Sequence, residues 1–320
     1  MTIDFDVIIV GAGPAGLSLA GNLDKSLKVL LLDRHKEPHN KISCAEWVPA
    51  LFKKAAITKT SAMVTHYGDV VADMKFPGKI IDRKSWQKSL LESLNSTTIH
   101  LGENVRNIDG NSVITEKGTY SGGIIVGADG PMSVVRKSHG LPISPVLPAV
   151  NVLMKATAEY DSTKIFFMDE IKQGYGWLFP KGEFANVGIG ATDNLRDSLH
   201  FFISHLKKLD MVTGDMLEIS AGLIPLYGLT PDVNDHTVLI GDAAGLTDPL
   251  TGAGIQQAFD SGMELARHIN QGKDISKFPA FIMKMYSRYL SRRYENRKNL
   301  EDNWGDLKKA VESSWISVSK

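Results

Sequence analysis

The sequence predicts an α/β fold in which a nucleotide-binding core is interrupted by a sheet of short strands and then followed by helices. A buried strand, a glycine-rich turn and a helix follow one another in FDVIIVGAGPAGLSLAGNL at the N-terminus. Strand-like stretches with turn signals occur at 68–82 and 147–191, and the strand–glycine–aspartate pattern returns after each of them. Helical periodicity then runs from Gly254 to the C-terminus.

Composition excludes several classes of protein. The 36 basic and 36 acidic residues balance, so no global charge favours a nucleic-acid partner. Cys44 is the one cysteine, which excludes an intramolecular disulfide framework, a four-cysteine zinc site and a protein-ligated iron–sulfur cluster, and fits a cytoplasmic location. The nine histidines lack metal-ligand spacing, so we expect no metal site. No stretch reaches the roughly 20 apolar residues of a membrane span, so any membrane contact is expected to be peripheral.

The first glycine-rich turn has the context of a dinucleotide-binding fingerprint. A strand precedes it, a helix follows, and Asp33 ends the next strand, KVLLLD. Gly11 permits the tight turn, Gly13 lets the backbone approach a pyrophosphate, and Gly16 allows close packing of the helix. The helix N-terminus offers free N–H groups, and Asp33 would accept hydrogen bonds from ribose hydroxyls. This pattern does not decide between FAD and NAD.

Two later segments add strand-end carboxylates. IIVGADG at 124–130 and VLIGDAAG at 238–245 are apolar strands that end in glycine beside Asp129 and Asp242. A buried strand end aims such a side chain into the crevice beyond the sheet edge. Two further carboxylates suit a cofactor with additional hydroxyls, and FAD, with its ribityl chain, is such a cofactor.

GAGPAG at 11–16, GADGPMSVVR at 127–136 and GDAAGLTDPLTGAGI at 241–255 resemble the three FAD motifs of the p-hydroxybenzoate hydroxylase-like flavoprotein superfamily. The resemblance implies a Rossmann-like FAD-binding domain with an inserted antiparallel-sheet substrate domain and a C-terminal helical segment. It places Asp129 near the cofactor groove and Asp242 on the ribityl chain. The residues it implies for cofactor binding are Gly11, Gly13, Ala15, Gly16, Asp33, Arg34, Cys44, Arg83, Asp129, Asp242, Gly252, Gly254 and Ile255.

The segment 252–255 and Arg83 are expected beside the cofactor for different reasons. The resemblance implies that Gly252 to Ile255 bring a helix N-terminus towards the flavin ring, and that Arg83 starts a helix beside the FAD. A solvated arginine at a helix start would give the same pattern at Arg83. The domain division that follows has an FAD-binding domain at 1–60, 83–145 and 232–272, a substrate domain at 61–82 and 146–231, and C-terminal helices at 273–320.

The segment Tyr175–Lys181, YGWLFPK, resembles the YxWxFPK segment of the geranylgeranyl reductase family, which saturates prenyl double bonds with reduced FAD. Ser43-Cys44-Ala45-Glu46 is similar to the CGE segment of that family near the flavin. Ala45 replaces its glycine, and Trp47 stands where archaeal members often have another, which would narrow the pocket. The catalytic residues that the resemblance implies are Cys44, Tyr175 and Trp177.

Alternatives remain open at three places. Strand alternation puts Tyr175, Trp177 and Phe179 on one face, which fits either an aromatic wall for a prenyl chain or a core face. Cys44 is either a thiol acting beside the flavin or a small buried hydrophobe. The basic segment 284–298 fits either a helix resting on an anionic membrane or a solvated helix packed on the FAD-binding lobe.

The function expected is therefore reduction of carbon–carbon double bonds in a prenyl or other apolar substrate. NAD(P)H or a ferredoxin would supply the electrons, since no separate nicotinamide-binding domain is visible in the sequence. The rivals are a flavin monooxygenase or halogenase of the same superfamily, an electron-transfer flavoprotein, and a non-catalytic FAD-binding protein.

Overall fold

The computed structural model describes residues 3–40, 44–226, 229 and 236–318. Ser43 and the predicted domain boundary between 231 and 232 therefore lie outside the described residues. The chain forms two compact units, each built from separated segments. The first consists of Met1–Ile42, Arg83–Pro145 and Pro225–Arg292; the second consists of Ser43–Asp82, Val146–Ile224 and Arg293–Lys320. That one binds FAD and the other the substrate stays a prediction.

Strands and helices alternate along the first half of the chain and helices dominate its end. In chain order they are β1 (Phe5–Val10), α1 (Pro14–Asn22), β2 (Val29–Asp33), β3 (Trp47–Pro49), β4 (Thr58–Tyr67), β5 (Val70–Ile80), α2 (Arg83–Glu92), β6 (Thr97–Leu101), β7 (Val105–Asp109), β8 (Ser112–Thr115), β9 (Thr119–Gly127), α3 (Val134–Ser138), β10 (Val146–Ala156), β11 (Ser162–Phe167), β12 (Tyr175–Lys181), β13 (Phe184–Gly190), α4 (Leu195–Lys208), β14 (Val212–Pro225), β15 (Thr237–Leu239), α5 (Ile255–Asn270), α6 (Phe278–Asp302) and α7 (Leu307–Ser314).

The sheet of the first unit confirms the predicted Rossmann-like α/β core. Its order is β6-β2-β1-β9, continued by β8 and β7, with β15 also paired to β9. The pairs among β6, β2, β1, β9 and β15 are parallel. In the register of this sheet Val10 and Leu239 both pair with Gly127, so three strands end at one level. The glycine-rich turn, Asp129 and Asp242 follow these ends, which brings them to one edge.

The second unit holds an eight-stranded sheet in the order β14-β10-β13-β12-β11-β4-β5-β3. Hairpin neighbours such as β12 and β13 pair antiparallel, but β4 and β11 run parallel, with Ala62 opposite Ser162. The predicted antiparallel sheet is thus mixed at this place. The chain leaves the unit after β5 and returns as β10, so no hairpin turn fixes the relative direction of β4 and β11.

Helix α4 was not expected from the sequence, although its pattern is clear. Phe202 and Leu206 are fully buried, and with Leu199 and Ile203 they repeat at helical spacing. They pack on the sheet face that carries Leu178. A Cβ on Gly176 would lie 2.7 Å from the ring of Phe202, so the glycine between Tyr175 and Trp177 makes room for α4.

Helices follow β15 to the end of the described chain. Helix α5 packs against α1, and the first half of α6 buries Phe278, Ile282 and Leu290 in the core of the first unit. Among the helices of the described ranges, none is both long and apolar enough to cross a membrane.

Candidate functional site

The glycine-rich turn has the geometry of a phosphate-binding loop. Gly11 has φ +107°, and a Cβ there would lie 2.3 Å from the carbonyl oxygen of Ala128. A Cβ on Gly16 would lie 1.9 Å from the carbonyl oxygen of Gly11. These two glycines are required by the protein's own backbone. A Cβ on Gly13, by contrast, would meet no described atom within 4 Å, so the space above Gly13 is open to a ligand.

Asp33, at the end of β2, holds this turn in place. Its Oδ2 accepts a hydrogen bond from the N–H of Ala12 at 2.8 Å, and its Oδ1 accepts one from the N–H of His35 at 2.7 Å. A carboxylate has about four lone-pair sites, so acceptor capacity remains for a ribose hydroxyl. Arg34, the next residue, is exposed.

The first turns of α1 and α5 lie close together. A Cβ on Gly241 would approach both Ala15 Cβ, at 3.0 Å, and Ala258 Cβ, at 3.4 Å. A Cβ on Gly262 would lie 2.3 Å from the carbonyl oxygen of Ala15, so small residues let the helices meet. Among the described residues, no side chain caps either helix at its N-terminus. Two uncapped N-termini leave free N–H groups and partial positive charge for an anion.

Asp242 lies between β15 and the start of α5. Its Oδ1 accepts a hydrogen bond from Thr247 Oγ1 at 2.6 Å, and a Cβ on Gly254 would lie 3.3 Å from the same atom. Burial raises the pKa of Asp242, while the hydrogen bond from Thr247 and the positive charge of Arg83 act in the opposite direction. Arg83 itself donates from Nε to Gln87 Oε1 at 2.6 Å. The structure therefore brings Asp242, Arg83 and Gly254 together.

Asp129 presents a buried oxygen that lacks a protein partner. Its Oδ2 accepts from the N–H of Val134 at 2.7 Å, but its Oδ1 is buried without a hydrogen bond to any described residue. Burial raises the pKa of this carboxyl. An orphaned buried acceptor beside the other residues of this edge is what a missing ligand hydroxyl or N–H would satisfy.

The loop before α5 is shaped by Asp248. Its Oδ1 accepts from the N–H of Leu250 at 2.9 Å, and its Oδ2 accepts from the hydroxyl of Tyr289 at 2.6 Å. Gly252 has φ +67° and donates its N–H to the carbonyl oxygen of Asp248 at 2.8 Å. These bonds fix the path by which the chain reaches Ile255, the first residue of α5.

FAD fits these residues. The open space above Gly13, the two uncapped helices and the orphaned oxygen of Asp129 lie in one unit, at one edge of its parallel sheet. Helix N-termini suit a pyrophosphate, and carboxylates suit sugar hydroxyls.

The second unit contains the predicted catalytic residues Tyr175, Trp177 and Cys44. Trp177 is buried, and its indole lies against Gly188, where a Cβ would come within 2.3 Å of the ring. Tyr175 is also buried and packs on Trp315, with ring centroids 5.2 Å apart. That all three rings of the segment line one pocket wall stays a prediction. Two of them lie within an aromatic cluster, while Phe179 is half-buried.

A chain of hydrogen bonds runs from Trp177 to Lys181, and sequence patterns gave no signal for it. Trp177 Nε1 donates to Asn151 Oδ1 at 3.0 Å, and Asn151 Nδ2 donates to Asn186 Oδ1 at 3.2 Å. Asn186 Nδ2 donates to Glu46 Oε2 at 3.0 Å, and Lys181 forms an ion pair with the same oxygen. The two segments that resemble the reductase family, CAEW and YGWLFPK, are thereby joined.

Cys44 is half-buried, and its Sγ accepts a hydrogen bond from the N–H of Glu46 at 3.2 Å. Glu46 has φ +61°, a conformation uncommon outside glycine, and its side chain is buried. Trp47 stacks on Phe76 with centroids 4.9 Å apart. The backbone at Glu46 is therefore left-handed, with its side chain buried and the next residue, Trp47, stacked on β5.

Comparisons with known proteins agree with this geometry. Residues 4–46 match the FAD binding domain family model. Digeranylgeranylglycerophospholipid reductase of Methanococcus vannielii is 28% identical over 298 residues, covering 81% of this chain and 75% of the relative. The reductase of the same name from Methanocaldococcus jannaschii is 27% identical over 346 residues, covering 93% and 87%. The predicted resemblance to the geranylgeranyl reductase family of FAD-dependent oxidoreductases is confirmed by these relatives. Its predicted cofactor, FAD, and its predicted enzyme class are confirmed.

Solved structures show the same fold. A geranylgeranyl bacteriochlorophyll reductase-like protein from Thermoplasma acidophilum has a TM-score of 0.83 at 21% identity, covering 98% of this chain and 97% of that one. A probable FAD-dependent monooxygenase from Pseudomonas aeruginosa has a TM-score of 0.70 at 15% identity, covering 96% and 99%. This chain thus shares its fold both with a protein named as reductase-like and with one named as a probable monooxygenase, and fold alone does not separate the two chemistries.

Proposed function

We propose that this protein reduces carbon–carbon double bonds of a prenyl lipid of the geranylgeranyl type. The observation that carries the proposal is Trp177, the centre of the segment that resembles the reductases, which is buried and held by a hydrogen bond to Asn151. The relatives over most of the chain are named as reductases of digeranylgeranylglycerophospholipid. A fixed apolar ring suits a substrate that is itself an apolar chain.

Saturating an isolated alkene requires a hydride on one carbon and a proton on the other, with little polarisation to help. Reduced FAD supplies the hydride when it is bound. We assign the first unit to holding the cofactor: the N-terminus of α1 binds the pyrophosphate and that of α5 faces the flavin ring. Asp33 binds the adenosine ribose, and Asp242 with Arg83 binds the ribityl side. Asp129, with its unsatisfied oxygen, adds one acceptor.

We assign the second unit to the alkene. Tyr175 and Trp177 offer rigid apolar surface that orients a prenyl chain and keeps water out. Cys44 is the thiol that we propose delivers the proton, which solvent then restores. Its Sγ is positioned by the N–H of Glu46, and Glu46 is positioned by Lys181 and Asn186.

Electron supply and location complete the proposal. NAD(P)H or a ferredoxin reloads the flavin, with one electron pair used for each double bond. The protein works in the cytoplasm and contacts membranes peripherally, because a geranylgeranyl lipid resides in a bilayer.

The test is an anaerobic reaction of the protein, with its flavin reduced by dithionite, with a geranylgeranyl lipid. Mass spectrometry should find products heavier by successive pairs of hydrogens. Trp177→Phe keeps an aromatic ring but loses the hydrogen bond to Asn151, and should slow product formation while flavin absorbance stays unchanged. Absence of hydrogenated lipid, together with a hydroxylated or halogenated product in air, would replace the proposal by the monooxygenase or halogenase class.

Transfer of electrons to a quinone without any lipid product would instead favour an electron-transfer flavoprotein.

A further inference from the structure

The first half of α6 turns a row of apolar side chains to solvent. Phe281, Met285 and Tyr289 are 38%, 47% and 43% exposed. They are spaced four residues apart, so they form one stripe along the helix. The adjoining face of the same helix is anchored, because Ile282 and Leu290 are buried in the core of the first unit.

Three cations run beside this stripe. Lys284, Arg288 and Arg292 are also spaced four residues apart and are exposed. None of the three forms an ion pair with a described residue. Burial, and then the charges of Asp260 and Glu264, raises the pKa of Tyr286 to about 12, and a third acid, Asp248, accepts the hydroxyl of Tyr289. The exposed Glu295 lies about one turn beyond Arg292, so among the described residues of this face three cations stand against one acid and the net charge is positive.

An apolar stripe flanked by unpaired cations fits the surface of an anionic lipid bilayer. The apolar side chains enter the headgroup region and the cations meet lipid phosphates. A second copy of the chain fits poorly, since a two-fold contact through this face would set three cations against three.

A second exposed apolar row, on β14, lacks this charge pattern. Leu217 and Ile219 are 58% and 64% exposed, but Asp215 and Glu218 accompany them. Exposed apolar area alone would therefore favour β14 as a membrane-docking surface, whereas the charge pattern favours α6.

We propose that the face of α6 that carries Phe281, Lys284, Met285, Arg288, Tyr289 and Arg292 docks the protein on anionic bilayers. The biological reason for docking rests on the proposed function, because a lipid reductase must meet its substrate at a membrane. Tyr289 also donates its hydroxyl to Asp248, in the loop before α5, so the docking helix is tied to that loop.

The experiment is co-sedimentation of the FAD-loaded protein with vesicles of phosphatidylcholine alone or with phosphatidylglycerol added. Binding is expected only with the anionic lipid, and it should weaken as salt rises. The triple variant Lys284→Gln, Arg288→Gln, Arg292→Gln should lose about a hundredfold in affinity, since each basic residue near the surface contributes roughly fivefold. The double variant Phe281→Ser, Met285→Ser should also weaken binding.

Matched controls separate this surface from general charge and hydrophobicity. Lys25→Gln, Lys28→Gln, Lys53→Gln removes the same charge from exposed lysines elsewhere, and Leu217→Ser, Ile219→Ser removes exposed apolar area from β14. Both should bind vesicles as the unaltered protein does. Loss of binding in a control to the extent seen in the α6 variants, or no anionic-vesicle binding by the unaltered protein, overturns the proposal.

Activity distinguishes this proposal from the proposed function. Reduction of a geranylgeranyl lipid dissolved in detergent micelles should be unchanged in the α6 variants, and their unfolding temperature and flavin spectrum should match the unaltered protein. Vesicle binding that follows the predictions without any lipid reduction would refute the reductase function and leave the docking surface standing. Lipid reduction without vesicle binding would refute the docking surface and leave the reductase function standing.

Discussion

Replacing Glu46 by alanine should destabilise the second unit strongly, because the buried amide of Asn186 and the half-buried ammonium of Lys181 lose their acceptor at once. The Glu46 side chain is 5% exposed and that of Lys181 is 24% exposed. Removing one partner of a buried ion pair typically costs about 3–5 kcal/mol. Lys181 keeps partial access to water, so the lower limit applies, about 3 kcal/mol. For a unit of this size that corresponds to a fall of roughly 6–12 °C in Tm.

A double-mutant cycle measures the interaction energy between Glu46 and Lys181. Glu46→Gln keeps an oxygen for Asn186 but loses the charge, and Lys181→Met keeps the length of the side chain. We expect the two changes together to cost about 2 kcal/mol less than their sum, measured by urea unfolding. Lys172 and Asp193 provide a control pair, since both side chains are more than half exposed and their charged atoms lie 3.5 Å apart.

The exposed pair should show a coupling of about 0–1 kcal/mol. A Glu46–Lys181 coupling no larger than that of the control would refute the reasoning. The emission maximum of tryptophan fluorescence in folded Glu46→Gln adds a second observation. A red shift is expected if loss of the ion pair loosens the hydrogen-bonded chain that ends at Trp177.

Three further predictions concern the cofactor edge and pH. Gly13→Ala should change the free energy of unfolding by no more than about 1 kcal/mol but weaken FAD binding at least tenfold in titrations, because its Cβ enters space that no described atom fills. A Cβ on Gly118 also meets no described atom, and Gly118→Ala should leave FAD affinity unchanged. Burial raises the pKa of Asp242, so the FAD-free protein should lose stability as pH rises above that group's ordinary value of 3.8. In urea titrations Asp242→Asn should remove part of this loss, and the same variant should bind FAD more weakly. Burial is the main reason that the pKa of His66 is lowered from 6.5 to about 4, so stability should fall as pH drops through this range. His66→Phe keeps the stacking on Phe166 and should show a smaller fall.

Patterns local in sequence predicted the cofactor half of the fold well. Gly11 and Gly16 are needed because backbone atoms lie where a Cβ would be, and such steric demands leave glycine at fixed spacing. The parallel core follows from apolar strands such as FDVIIV and VLLLD, whose registers end at one level. The resemblance to known FAD motifs then supplied what spacing alone left open, the choice of FAD over NAD.

Interactions between distant segments were not predictable. Asn151 and Asn186 have the pattern of ordinary strand residues. Only the pairing of β10 with β13, which sets Asn151 opposite Gly188 and Asn186 opposite Leu153, brings the two amides together beside Trp177. Glu46 gave no sign of burial, since its partner Lys181 lies far along the chain. The parallel pairing of β4 with β11 likewise depends on how the chain returns to the second unit.

The central claim is that electrons from this flavin saturate prenyl double bonds, and anaerobic stopped-flow mixing tests it most directly. Reduced protein mixed with a geranylgeranyl lipid should show its flavin absorbance return at a rate that increases with lipid concentration, with one double bond saturated for each flavin oxidised. Flavin that stays reduced with the lipid, yet reoxidises rapidly once oxygen is admitted and transfers oxygen to a substrate, would contradict the account.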